Sequence, residues 1–116
     1  MKESDIILTP VPQADDRLKN RPALFLREMP PFGDALVCGI STQLHQEVDG
    51  FDEVIYNQDE DFALSGLISD SLIRLGFLAI VPRAKLIGSI GSISPNRHQR
   101  LLENLSKYLL ARSKAA

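Results

Sequence analysis

Short alternating apolar stretches, each ended by proline, glycine or polar residues, constrain the fold of this chain more than any other feature of its sequence. Five of them have the period of two and the β-branched content that favour strands: residues 5–11, 21–26, 35–41, 71–81 and 86–93. Residues 53–56 form a shorter strand candidate, and residues 62–70 are mixed in character. Repeated strand–helix–strand alternation is not seen, so the pattern does not favour a parallel sheet.

The C-terminal region has the pattern of a single amphipathic helix. Ser94 offers a side-chain oxygen for an N-cap and Pro95 suits the first turn, so a helix is predicted from there to about Arg112. Arg97 and Arg100 are expected to face outward. The apolar stripe expected against the sheet recurs at three- and four-residue intervals: Leu101, Leu102, Leu105, Tyr108 and Leu109.

These elements predict a mainly β (α+β) fold. Five to seven short strands in a chain of 116 residues favour a strongly bent sheet that closes into a small barrel, with the helix as a lid. The length fits a single domain over residues 1–116. The longest apolar run, residues 75–82, is shorter than the ~20 residues of a membrane span, and the N-terminus is charged. A cytoplasmic location without membrane contact is therefore expected.

Charge is distributed unevenly along the chain. Residues 28–73, the acidic segment, contain ten acidic residues and no Lys or Arg. The rest of the chain carries thirteen basic and five acidic residues, a balance of +8. The basic portions suit a polyanion such as RNA. The acidic segment is either a solvated loop or a region for regulation and partner choice.

The sequence lacks the motifs of several common classes of metal, nucleotide and nucleophile chemistry. A single cysteine, Cys38, and two histidines give no zinc-ligand spacing, so neither a metal nor another cofactor is expected. IGSIGS matches no dinucleotide or phosphate-loop pattern, and no G-x-S-x-G elbow is present. His45 is either an inert surface residue or a proton-transfer group, and His98 is expected at the surface. Arg21 opens a strand after the loop at 17–20, where it would either bind a phosphate or lie in solvent.

Three blocks of the sequence, in this order, carry a family resemblance. The first, SDIILTPVPQADDRLKNRPALFL, is similar to the opening strand, Pro-containing loop and K-x-R-P-A/V-L strand of toxins of the MazF/PemK family. ALVCGISTQL resembles their I-T-S/A-Q strand, and SLIRLGFLAIVPRAKLIGSIGSISPNRHQRLLENLSKYL resembles their closing strands and C-terminal helix. The resemblance covers nearly the whole chain and implies an SH3-like β-barrel with a C-terminal helix.

The resemblance also implies a function. Toxins of this family are metal-independent, sequence-preferring endoribonucleases (mRNA interferases) of type II toxin–antitoxin systems. They cut single-stranded RNA by attack of the substrate 2′-hydroxyl on the adjacent phosphate. The implied assembly is a homodimer inhibited by a cognate antitoxin protein, with DNA bound only through the antitoxin complex.

Site residues are carried over by position. Arg21 matches the catalytic arginine, which would stabilise charge in the transition state. Ser41 matches the catalytic Thr or Ser, which would donate a hydrogen bond to a phosphate oxygen. The expected substrate-binding residues flank these two: Thr42, Gln43, Arg17 and Lys19.

Some positions depart from the family pattern. Ser4 replaces the usual Gly, Ser41 replaces the commoner Thr, and the late Gln-Ile-Arg appears as Phe-Leu-Ala ending at Ala79. Arg74 lies near that position without occupying it. Alternation along the strand is expected to place Arg74 on one face with three apolar residues: Leu72, Leu78 and Ile80.

Two other functions stay open at this point. A non-catalytic SH3-like binding module, or decayed toxin, would bind nucleic acid or an antitoxin-like peptide without cleaving. A regulator that binds DNA jointly with its antitoxin would shift duplex DNA only when the antitoxin is present.

Overall fold

The computed structural model describes residues 1–12, 15 and 17–112 of the chain. Within those ranges it contains six strands and two α-helices: β1 (Asp5–Pro12), β2 (Leu18–Met29), β3 (Asp34–Ser41), β4 (Glu53–Ile55), α1 (Phe62–Ser65), β5 (Ser71–Val81), β6 (Gly88–Ser92) and α2 (Pro95–Leu110). Short 3₁₀ turns occupy Leu44–Gln46 and Arg83–Lys85. The predicted mainly β fold with a C-terminal helix is confirmed.

The strands form one curled antiparallel sheet. In the described part of the chain their order is β4-β5-β3-β2-β1-β6, so β4 and β6 are the edges and the sheet is a half-barrel. Strands β1 and β2 pair antiparallel as a hairpin. However, β2 begins at Leu18, so Lys19 pairs with Val11 inside the ladder instead of lying in a loop. Residues 13, 14 and 16, between β1 and β2 in the sequence, lie outside the described residues.

The two faces of the sheet are buried in different ways. On one face, Leu26 of β2 shares a core cluster with Leu101 and Leu105 of α2. The neighbouring residue Phe25 belongs with Ala23 to a second cluster on the other face, because successive side chains of a strand point to opposite sides. The helix therefore covers only the first face.

Local capping chemistry sets the start of α2. Ser94 Oγ accepts a hydrogen bond from Arg97 N at 3.1 Å, and Pro95 is the first helical residue. Both features confirm the predicted start. The helix ends at Leu110, slightly before the predicted end at about Arg112.

The apolar stripe of α2 is confirmed in its middle and wrong at its end. Leu101 and Leu105 are buried in the core. Tyr108 and Leu109 are 68% and 69% exposed. Tyr108 packs on the ring of Phe51, with 5.1 Å between the ring centroids, at the margin of the core cluster. The last turn of the helix thus extends beyond the apolar surface that the strands offer.

Strand β5 contains a register break. Before the break Arg74 lies opposite Gly39 of β3, and after it Leu78 lies opposite Cys38. Between these two pairs β3 advances by one residue and β5 by four, so β5 contains three extra residues. Because three is an odd number, the residues of β5 after the break point to the opposite faces from those that simple alternation predicts. Opposite residues of an antiparallel pair share a face. The predicted common face of Arg74 with Leu78 and Ile80 is therefore wrong.

Ser4 has a backbone conformation that favours glycine. Its φ is 81°, in the left-handed region where a Cβ is sterically disfavoured. The conformation is fixed from both sides, because Ser4 N donates to Phe25 O at 2.9 Å and Ser4 O accepts from Ile93 N at 3.0 Å. This geometry gives a physical reason for the glycine that the family resemblance leads one to expect at this position.

Candidate functional site

An open cavity of about 640 Å³ lies on the face of the sheet opposite α2. Thr9 of β1 and Arg21 of β2 line it and lie directly opposite one another. Gly39 of β3 pairs with Ala23 of β2 on one side and with Arg74 of β5 on the other. Since paired residues share a face, residues from four adjacent strands line this cavity.

Four of the predicted site residues line this cavity: Arg21, Ser41, Thr42 and Gln43. Ser41 is the last residue of β3, and the two residues after it form the exposed edge of the cavity. Ser41 Oγ accepts a hydrogen bond from Gln43 N at 3.0 Å. That bond fixes the hydroxyl oxygen and leaves its proton for donation to a ligand.

The other two predicted site residues, Arg17 and Lys19, do not line the cavity. Both are exposed at the end of the β1–β2 hairpin, and Arg17 Nε lies 3.7 Å from Asp15 Oδ2. A contact between these residues and a substrate would require the substrate to extend beyond the cavity.

Arg74, which the sequence pattern did not single out as a site residue, also lines the cavity. Arg74 lies opposite Gly39 of β3. A Cβ at position 39 would come within 2.9 Å of Phe77 Cδ1, so the glycine makes room for the Phe77 ring. The guanidinium carbon of Arg74 lies 6.0 Å from the centroid of the Phe77 ring, within cation–π range. The register break thus puts a second cation on the face of Arg21, and only the pairing with β3 reveals it.

A buried carboxylate stabilises this break. Asp52 is 6% exposed, its Oδ1 accepts from Leu75 N, and its Oδ2 accepts from Val48 N, both at 2.9 Å. Inserted residues of a strand lose their ladder partners, so Asp52 takes the place of a strand carbonyl. The acidic segment is therefore joined to the strand that carries Arg74.

Other carboxylates of the acidic segment are neutralised inside the protein. Arg97, expected to face outward, is instead 7% exposed. Its guanidinium donates to Asp61, Glu53 and Asp59 over 2.9 to 3.1 Å, and Arg100 donates to Glu53 at 3.0 Å. The prediction for Arg97 was wrong because these partners lie 36 to 44 residues away in sequence. The acidic segment is thus only partly a solvated loop.

The pKa of Asp61 reflects this network. Burial acts to raise the pKa of the carboxyl, but hydrogen bonds from Arg97 and from Ser94 N outweigh burial and hold the pKa below its usual value. The described residues that line the cavity include two arginines, Arg21 and Arg74, and no Asp or Glu. The described lining of the cavity therefore has a positive formal charge, although the chain as a whole carries a net charge of −2.

Neither the cysteine nor the two histidines are suited to catalysis at this cavity. Burial, followed by the negative charge of Asp52, raises the pKa of the Cys38 thiol far above its ordinary value, so the thiolate is not available. His45 is exposed in a 3₁₀ turn, and His98, expected at the surface, is half-buried with Nε2 2.7 Å from Leu26 O. Neither histidine lines the cavity. The described residues also form no cluster of His, Cys, Asp and Glu suited to a metal ion.

A family model described as PemK-like, MazF-like toxin of type II toxin-antitoxin system matches residues 2–109. The chain belongs to this family. The match includes all six described strands and therefore the whole lining of the cavity. A comparison with curated protein sequences found no significant match. Within the described residues, no helix of this PemK/MazF-family toxin is long and apolar enough to cross a membrane.

Proposed function

We propose that this PemK/MazF-family toxin is an endoribonuclease that cuts single-stranded RNA in the cavity lined by Arg21, Ser41 and Arg74. The charge of the cavity carries the proposal, because two arginines and no described carboxylate line it. Guanidinium groups bind phosphate through several hydrogen bonds in a fixed plane. The ion pairs of Arg97 also reduce the repulsion that the acidic segment would exert on a polyanion.

In the proposed reaction the substrate supplies its own nucleophile. The 2′-oxygen forms a bond to the adjacent phosphorus, and the bond from phosphorus to the 5′-oxygen of the next nucleotide breaks. The 2′-hydroxyl loses its proton to water in the open cavity, and the departing 5′-oxygen takes a proton from water. The products are a 2′,3′-cyclic phosphate and a 5′-hydroxyl.

The side chains of the cavity act on the phosphate in this scheme. Arginine keeps its proton in proteins, so Arg21 and Arg74 stabilise the added negative charge and do not transfer protons. Ser41 donates its hydroxyl proton to a non-bridging oxygen. Because Gln43 N holds the Ser41 oxygen, the donor is oriented before the substrate binds.

The proposed assembly is a cytoplasmic homodimer regulated by a cognate antitoxin. Leu78 and Ile80, which alternate onto one face of β5 and are 41% and 53% exposed, form an apolar surface that a second copy would bury. An extended antitoxin segment with acidic residues would occupy the cationic cavity and exclude RNA. DNA would be bound through the toxin–antitoxin complex.

Cleavage of a long single-stranded RNA by the purified toxin tests the proposal. Arg21→Ala is expected to lower the cleavage rate by about 10²–10³-fold, the usual effect of losing one charge-stabilising donor, and Arg74→Ala is expected to lower it as well. Arg27→Ala is the matched control, since Arg27 also lies on β2 but pairs with Glu3 at 3.1 Å outside the cavity. Equal losses in the Arg21 and Arg27 variants would refute the site. RNA binding without cleavage by the wild type would favour the non-catalytic module.

A further inference from the structure

Thr9 carries a buried hydroxyl that has no hydrogen-bond partner among the described residues. The residue is 3% exposed, and its Oγ1 is the one buried side-chain oxygen or nitrogen left unpaired among the residues that the structure describes. Buried hydroxyl groups are nearly always hydrogen-bonded, because an unpaired one has lost its hydrogen bonds to water without forming new ones in the protein. The unpaired hydroxyl therefore either destabilises the folded protein without any function or forms its hydrogen bond with a bound ligand.

The surroundings of Thr9 explain why the described part of the chain offers its hydroxyl no partner. Thr9 lies directly opposite Arg21, and both line the cavity. The next residue of each strand is a proline, Pro10 or Pro22, and proline has no N–H to donate. Both prolines also line the cavity. The hydroxyl thus belongs to an apolar part of the cavity wall, beside the arginine assigned to phosphate.

We propose that the Thr9 hydroxyl hydrogen-bonds the polar edge of a nucleobase next to the phosphate at Arg21, an inference that rests on the proposed function. The phosphate charge is matched by the two arginines, whereas a neutral hydroxyl that can both donate and accept suits a base edge. The prolines offer flat apolar surface to the face of the same base. A base that cannot bond the hydroxyl is discriminated against, because the hydroxyl then stays unpaired. Thr9 is thus a specificity-determining residue.

The test compares Thr9→Val, which replaces the hydroxyl by a methyl of similar size, with Thr9→Ser, which keeps it. Removing an unpaired hydroxyl from a buried position is expected to raise Tm. The same variant is expected to bind RNA roughly fivefold more weakly and to change the preferred cut sites, with Thr9→Ser restoring both. Affinity is measured on an RNA with a 2′-deoxynucleotide at a mapped cut site, so that binding is separated from cleavage.

Ser65→Ala is the matched control. Ser65 is also buried, but its hydroxyl donates to Phe62 O and accepts from Leu67 N, and it does not line the cavity. The control is expected to lower Tm and to leave RNA binding unchanged. Wild-type affinity and cut-site preference in Thr9→Val would overturn the inference and leave Arg21-dependent cleavage intact. A wild-type toxin that neither binds nor cleaves RNA would refute the proposed function and this inference with it.

Discussion

Replacing Arg97 with methionine is expected to destabilise the toxin severely. Methionine keeps a long side chain but removes the guanidinium that bonds Glu53, Asp59 and Asp61. Asp61 is 7% exposed and would lose both of its bonds from Arg97 while staying buried. Removing one partner of a buried ion pair costs about 3–5 kcal/mol, since the other charge is left without compensation.

Urea unfolding followed by far-UV circular dichroism measures this cost, because the chain has no Trp to report by fluorescence. For a domain of this size the expected loss corresponds to a fall in Tm on the order of 10–20 °C. Arg100→Met is the matched control, since Arg100 has a side chain 53% exposed and pairs with Glu53 alone among the described residues. Exposed pairs contribute about 0.2–1 kcal/mol. Similar losses in the Arg97 and Arg100 variants would refute the buried network.

Other predictions concern a backbone strain, a helix face and an acid response. Ser4→Gly is expected to stabilise the fold by about 0.5–1 kcal/mol, because the strain of the left-handed φ that it relieves is larger than the free-energy cost of the conformational entropy that glycine adds to the unfolded chain. A lower urea midpoint in the variant would argue against the strain. Leu105→Asp, at a residue 6% exposed, is expected to unfold the protein, while Leu109→Asp, at 69%, changes its stability by less than about 0.5 kcal/mol; equal melts would disprove the helix face. Because the folded-state pKa of Asp61 lies below 3.8, its pairing stabilises the fold above that pH and is lost as pH falls through the folded pKa. Asp61→Asn should therefore flatten the acid limb of a stability–pH curve, and an unchanged limb would contradict the pairing.

Local signals in the sequence predicted the elements of the fold well. Ser94 and Pro95 act on the backbone within one turn, so the start of α2 could be recognised without knowledge of the fold. Alternation predicted β3 and β5 for the same reason, because the period of a strand is a local property. The family resemblance added Arg21 and Ser41, and both line one cavity.

Features that depend on pairing between distant segments could not be predicted in this way. The register break in β5 exists only in relation to β3, so Arg74 was wrongly predicted to share a face with Leu78 and Ile80. Arg97 lies on a helix that is mostly polar at its start, and its burial depends on carboxylates that the fold brings from β4 and the loop after it. The unpaired hydroxyl of Thr9 likewise depends on the positions of its described neighbours, which the sequence alone does not give.

Replacing a single ribose in the substrate tests most directly whether this toxin cuts RNA with the substrate's own nucleophile. An oligonucleotide with one mapped cut site is compared, in excess chelator, with the same oligonucleotide carrying a 2′-deoxynucleotide just before the cut. Attack by the 2′-hydroxyl predicts that the unmodified RNA yields a 2′,3′-cyclic phosphate and a 5′-hydroxyl, while the deoxy substrate is bound and stays uncut. Cleavage of the deoxy substrate, or products with a 5′-phosphate, would require a different nucleophile and would contradict the mechanism proposed for the cavity of Arg21, Ser41 and Arg74.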